Sequence, residues 1–142
     1  QRARPDWTFE LIGDPTAVEE FRGLPRVRLR QPRSWPRYLR RARRRPLHLG
    51  LVPFDDRPVN RARAEVKLFD YARQGAVALA DARCPWRATL EADDAVLWVD
   101  PEPEAWIERI RTLQPEELDR TWAAMMRWLA NRYSARGSLP VG

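Results

Sequence analysis

Lys67 is the one lysine among the 26 basic residues of this 142-residue chain. It heads the run Lys67-Leu68-Phe69-Asp70-Tyr71. Every other basic side chain is arginine, so keeping one lysine points to a need for a compact ammonium. That form suits a phosphate oxygen, whereas arginine offers a planar fork. Asp70 follows three residues later, which on a helix places it one turn away and on nearly the same face. A phosphate-directed cation beside a hydroxyl-directed carboxylate suits a nucleoside diphosphate. The plainer alternative is a solvated i,i+3 ion pair on an amphipathic helix; the two residues alone favour it, and the surrounding chain is what speaks for the first.

Other reactive types are sparse. His48 lies within an apolar run, 47–52, and reads as a core or structural histidine; a general base would have to stand at the strand end, within reach of substrate. The adjacent acids Asp55-Asp56 and Asp93-Asp94 read as solvated turns, and no metal or resident cofactor is expected. The single Cys84 excludes an intrachain disulfide and a cysteine-based zinc site, fits a reducing compartment, and reads as a small apolar packing group.

With 44% apolar and 32% charged residues the chain is globular, and its length fits one domain. No apolar stretch approaches the roughly 18 residues of a membrane span, and no signal-peptide pattern opens it. The opening residues, without a methionine, read as internal, so a fragment of a longer protein is expected. The expected location is cytoplasmic, with the inner face of the membrane as the alternative. A net charge of +6 invites a polyanion partner. Its densest block holds Arg37, Arg40, Arg41, Arg43, Arg44 and Arg45, with Tyr38 and Leu39 at the spacing of a buried helix side. A solvated helix face is the first reading, and an acidic-surface or anionic-membrane contact the second. Sequence-specific nucleic-acid binding ranks last, because no zinc-finger, RNP or helix-turn-helix pattern accompanies the block.

These residues must be positioned by alternating strands and helices. Apolar runs predict strands over 7–13, 27–29, 47–52, 76–80 and 95–99; the fourth is continuously apolar, as buried parallel strands are. A helix is expected after Asp14 and Pro15, with Ala17, Val18 and Phe21 inward. Ser34 can cap another through about Arg43, and a third is expected over 61–74, closed by Gly75. Two more finish the chain. One carries Trp106, Ile107, Ile110 and Leu113 on one side, and the other Leu118, Trp122, Met125, Leu129 and Tyr133. The tail from Ser134 reads as frayed or linking. Such alternation predicts an α/β fold: a three-layer, Rossmann-like parallel sheet of about five strands with helices on both faces. Ligands of such sheets lie beyond the carboxyl ends of the strands. Helix N-termini at that edge attract phosphate. Over 61–74, Lys67 would lie about two turns inside its helix; a start near Glu65 would bring it to the phosphate edge.

In order, these segments resemble the C-terminal, nucleotide-sugar-binding half of a GT-B glycosyltransferase, similar to family 4. The closest likeness is to retaining enzymes with a Lys-(two apolar)-(Glu/Asp)-Tyr signature before a glycine turn, and it covers about residues 7–133. The resemblance implies a donor nucleotide sugar as substrate and a hexose-type transfer. It also implies an acceptor-binding half upstream or on another chain. Lys67 then matches the lysine that neutralises the donor diphosphate, and Asp70 the carboxylate on the ribose, where glutamate is usual. Gln31, with Arg30 and Pro32, matches the stretch framing the base. Asn60, Arg61 and Arg63 fall where the family approaches the donor sugar and phosphates. Departures are Ala62, where many relatives carry a second glutamate, and the lack of the half-domain's first strand, normally central, which would leave an unpaired edge. A non-catalytic interaction module of the same architecture is the alternative, and a basic anion-surface binder the third.

Overall fold

The computed structural model describes residues 6–13, 16, 19–42, 44, 46–61, 65–90 and 93–135, without the side chains of 133–135. The chain divides into two compact units after Arg41. In the first, β1 (Phe9–Ile12) and β2 (Val27–Arg30) form a parallel pair with Phe9 opposite Val27 and Ile12 opposite Arg30. A single 3-10 turn, Glu19–Phe21, lies between them. The helix α1 (Trp35–Ala42) follows. Glu10 ties these elements together: its carboxylate accepts hydrogen bonds from Arg41 at 2.7 Å and lies 3.5 Å from Arg30. Asp14, Pro15, Ala17 and Val18, where a helix is expected, lie outside the described residues, as do Arg43 and Arg45.

The second unit contains β3 (Leu49–Val52), α2 (Pro58–Arg61), α3 (Val66–Arg73), β4 (Val77–Asp81), β5 (Leu97–Val99), α4 (Pro103–Thr112) and α5 (Pro115–Ala135). Its three strands are parallel in the order β3-β4-β5, with Leu49 opposite Val77 and Leu79 opposite Leu97. All five residues of β4 are buried, as its continuous apolar run requires of a central strand. Ala78 and Ala80 pack with Leu68 of α3 and with Met125, Trp128 and Leu129 of α5. Cys84 and Trp86, on the turn after β4, join the same cluster.

All five strand runs form strands, with ends within two residues of the expected ones, and they are hydrogen-bonded as a pair and a trio. Three expectations are corrected. His48 precedes β3 and is exposed; only its carbonyl is held, accepting from the Val77 amide at 3.1 Å, so it is no core residue. The helix expected over 61–74 is seen as α3, Val66–Arg73, with Glu65 in a turn before it; Arg61 ends α2, and 62–64 lie outside the described residues. Ile107, assigned to the inner side of α4, is 58% exposed; of that stripe Leu113 is fully buried and Trp106 and Ile110 are half-buried. On α5, Met125 and Leu129 are buried as their spacing predicts, but Thr121, Ala124 and Trp128 are buried too.

Candidate functional site

Because β4 is parallel to β3, the chain must return from the carboxyl end of β3 to the amino end of β4. Helix α3, which ends four residues before β4 begins at Val77, makes that return, so its first turn lies toward the carboxyl edge of the strands. Three anchors hold it. Leu68 is fully buried. Phe69 packs on Trp128 with ring centroids 6.2 Å apart. Tyr71 donates a hydrogen bond from its hydroxyl to the Leu51 carbonyl at 2.7 Å, its ring lying on Gly50, where a Cβ would overlap it. Gly75, at φ 71°, closes the helix, its amide bonding the Ala72 carbonyl.

The start of α3 is set from a distance. Glu65, buried, pairs with Arg132 on α5, whose guanidinium sits 5.1 Å from the Trp128 ring centroid. The Glu65 carbonyl accepts the Leu68 amide at 2.9 Å, and the helix begins at Val66. Lys67 is therefore in the first turn, where free amides and the helix dipole favour anions. It is exposed and makes no ion pair among the described residues. Asp70 is half-buried and pairs with Arg73 at 3.1 Å, so the i,i+3 bridge on this helix is Asp70–Arg73 and not Lys67–Asp70.

Asn60 and Arg61 lie together on α2, both engaged locally. The Asn60 amide donates to the Asp55 carbonyl at 3.0 Å. Arg61 grips the Asp56 carboxylate with two bonds of 2.6 and 2.7 Å, which draws Asp56 below the usual carboxylate range and raises Arg61. Gln31 is exposed and belongs to the first unit; Arg63 lies outside the described residues.

A further charged cluster stands at the carboxyl end of β4. Asp81 is 2% exposed and receives the Arg83 amide at 2.9 Å and its guanidinium at 3.0 and 2.7 Å. Arg83 also donates to the Phe54 carbonyl at 3.0 Å, linking this end of β4 to the loop after β3. Burial pushes the Asp81 carboxyl upward, but the hydrogen bonds and charge of Arg83, with the Phe54 amide, outweigh it and hold the group low. The one signal in the sequence was an acid ending an otherwise apolar strand. Next to it, burial and the Asp81 charge push the Cys84 thiol up to about 11 against the opposing charge of Arg83, so it is no ready nucleophile.

A cleft of about 390 Å³ opens beyond β5, lined by Arg87, Trp98, Asp100, Glu108, Arg109 and Thr112 among others. Arg87 lies 5.6 Å from the Trp98 ring centroid, while Arg109 binds Glu117 and Glu108 binds Arg111. None of Asn60, Arg61, Lys67 or Asp70 lines it. The chain matches no known family model and no curated protein sequence.

Proposed function

We propose that this chain supplies the donor-binding half of a glycosyltransferase, transferring a hexose-type sugar from a nucleoside diphosphate, with the acceptor site on another half or chain. The observation that carries this reading is Lys67: the sole lysine, exposed in the first turn of α3, and without an ion-pair partner among the described residues. An ammonium there, with the amides and dipole of the same helix end, offsets charge on the diphosphate as the glycosidic bond breaks. Asp70 accepts the ribose hydroxyls once it releases Arg73, and Arg61 joins the phosphates by exchanging Asp56 for them. Asn60, beside Arg61 on α2, approaches the sugar. The fold that goes with this reading is the three-layer Rossmann-like half with about five parallel strands.

The engagement of Arg61 by Asp56 and of Asp70 by Arg73 favours a second reading, a non-catalytic module of the same architecture. Thermal-shift titration with UDP, GDP and ADP separates the two. A ligand at ten times its Kd stabilises the folded state by about 1.4 kcal/mol, a readable shift. The expected outcome is a shift with one nucleotide that disappears in Lys67→Ala, whose own melting temperature is unchanged. No shift with any of the three, or a shift that survives Lys67→Ala, rejects the donor-site reading.

A further inference from the structure

From Phe21 to Phe54 the chain carries eleven arginines and no acidic residue. The imbalance is regional: residues 1–41 hold ten arginines against five acids, and residues 42–142 sixteen basic residues against fifteen. In the first unit Glu10 takes up Arg41 and Arg30, and Glu19 takes up Arg22. That leaves Arg26, Arg28, Arg33, Arg37 and Arg40, all exposed and without an acidic partner among the described residues. The same unit exposes Phe9, Ile12, Leu24 and Trp35, half of the eight exposed large apolar side chains among the described residues. Trp35 is 54% exposed and stacks on Tyr38 at the head of α1, 5.4 Å between centroids and 20° between planes. Residues 31–37 are exposed without interruption, so Arg33, Trp35 and Arg37 share one exposed tip at the head of α1, with Arg40 a turn further along.

We propose that this tip docks on an anionic lipid membrane surface. Guanidinium forks match the lipid phosphates, and an indole ring settles at the headgroup level, where its apolar body and N–H are both accommodated. Helix α1 does not sink as an amphipathic helix, because Ala42 is buried and Leu39 half-buried against the protein. The contact is made by its arginine-bearing end. A nucleic-acid strand would engage the arginines and Trp35 as well, but no nucleic-acid-binding motif accompanies them. A bilayer interface takes cationic and apolar side chains together. This docking is independent of whether α3 holds a nucleotide.

The test is co-sedimentation of the full chain with vesicles of phosphatidylcholine alone and with a third phosphatidylglycerol. Binding is expected only to the anionic vesicles. At roughly five-fold per arginine near the surface, Arg33→Gln/Arg37→Gln/Arg40→Gln lowers the partition coefficient about a hundred-fold. Trp35→Ser lowers it several-fold. Raising salt from about 0.1 M to about 1 M shortens the screening length from about 10 Å to about 3 Å and releases the chain. Arg111→Gln, an exposed arginine of α4 paired with Glu108, leaves binding unchanged. Circular dichroism and melting of each variant match the parent. Equal binding to neutral vesicles, no binding to either, or an equal loss in Arg111→Gln overturns the proposal. Arginine-dependent capture of single-stranded RNA at concentrations that leave vesicles unbound would reassign the tip to nucleic acid.

Discussion

Gly50→Ala tests how α3, and with it Lys67, is seated. Gly50 is buried in β3, and an added Cβ would overlap Cε1, Cζ and Cδ1 of Tyr71. All three are atoms of a rigid ring. The ring cannot bend away at its far end, so it must leave or β3 must shift. Forcing one carbon into a packed contact of this kind costs about 1–3 kcal/mol. If the ring leaves, the hydroxyl also gives up the Leu51 carbonyl, adding about 1 kcal/mol. The total of about 2–4 kcal/mol corresponds to a fall in Tm of roughly 8–16 °C for a domain of this size. Tyr71→Phe keeps the ring and loses the hydrogen bond alone, so it costs about 1 kcal/mol. Thermal or denaturant melts of Gly50→Ala, Tyr71→Ala and the double variant measure the coupling. Removing the ring relieves the overlap, so the double variant is expected to be less destabilised than the sum by more than about 1 kcal/mol. A Gly50→Ala protein that melts within about 2 °C of the parent, or a strictly additive cycle, refutes the seating of Tyr71 on Gly50. In the donor-site reading, Gly50→Ala also reduces the nucleotide-induced shift, because α3 moves with its ring.

Two further outcomes follow from the charged contacts. Asp81 has its folded pKa below its unfolded value, so it adds stability that is fully present above the unfolded pKa, near about 3.9, and is lost as pH falls through the lower folded value. Stability is therefore expected to decline below about pH 4. Asp81→Asn lowers Tm at neutral pH and flattens that acid limb; an unaltered limb in melts across the acid range contradicts the assignment. Arg132→Ala strands the buried Glu65 carboxylate at the head of α3. The expected loss is about 3 kcal/mol, the lower end for breaking a buried pair, since Arg132 is itself a third exposed. A denaturant midpoint unchanged from the parent would show that Glu65 does not set the start of α3.

Much of the layout was legible in the amino-acid order because it rests on local pattern. Five apolar runs became five strands, each parallel to the strand it pairs with, and the continuously apolar run 76–80 became the fully buried β4. Gly75 closes α3 because a left-handed residue there frees the chain to turn into β4. The outward side of α3 was readable too: Leu68 turns in and Lys67 out, as helical spacing requires. Even the partner of Asp70 has a local cause. An acid placed before a base suits the helix dipole, so Asp70 with Arg73 outcompetes Lys67 with Asp70.

What tertiary structure alone decided concerns residues far apart in the chain. Helix α3 begins at Val66, bringing Lys67 to the phosphate-favouring turn, beside a buried Glu65 paired with Arg132, 67 positions away. Gly50 lies under Tyr71 because β3 and α3 pack face to face, and no spacing rule connects positions 21 apart. His48 sits inside a largely apolar run, yet β3 starts one residue later and leaves it in solvent. The division of five strands into a pair and a trio was equally out of reach. Periodicity reports which face of an element is apolar, whereas strand partnership is settled by backbone hydrogen bonds between segments whose side chains look alike.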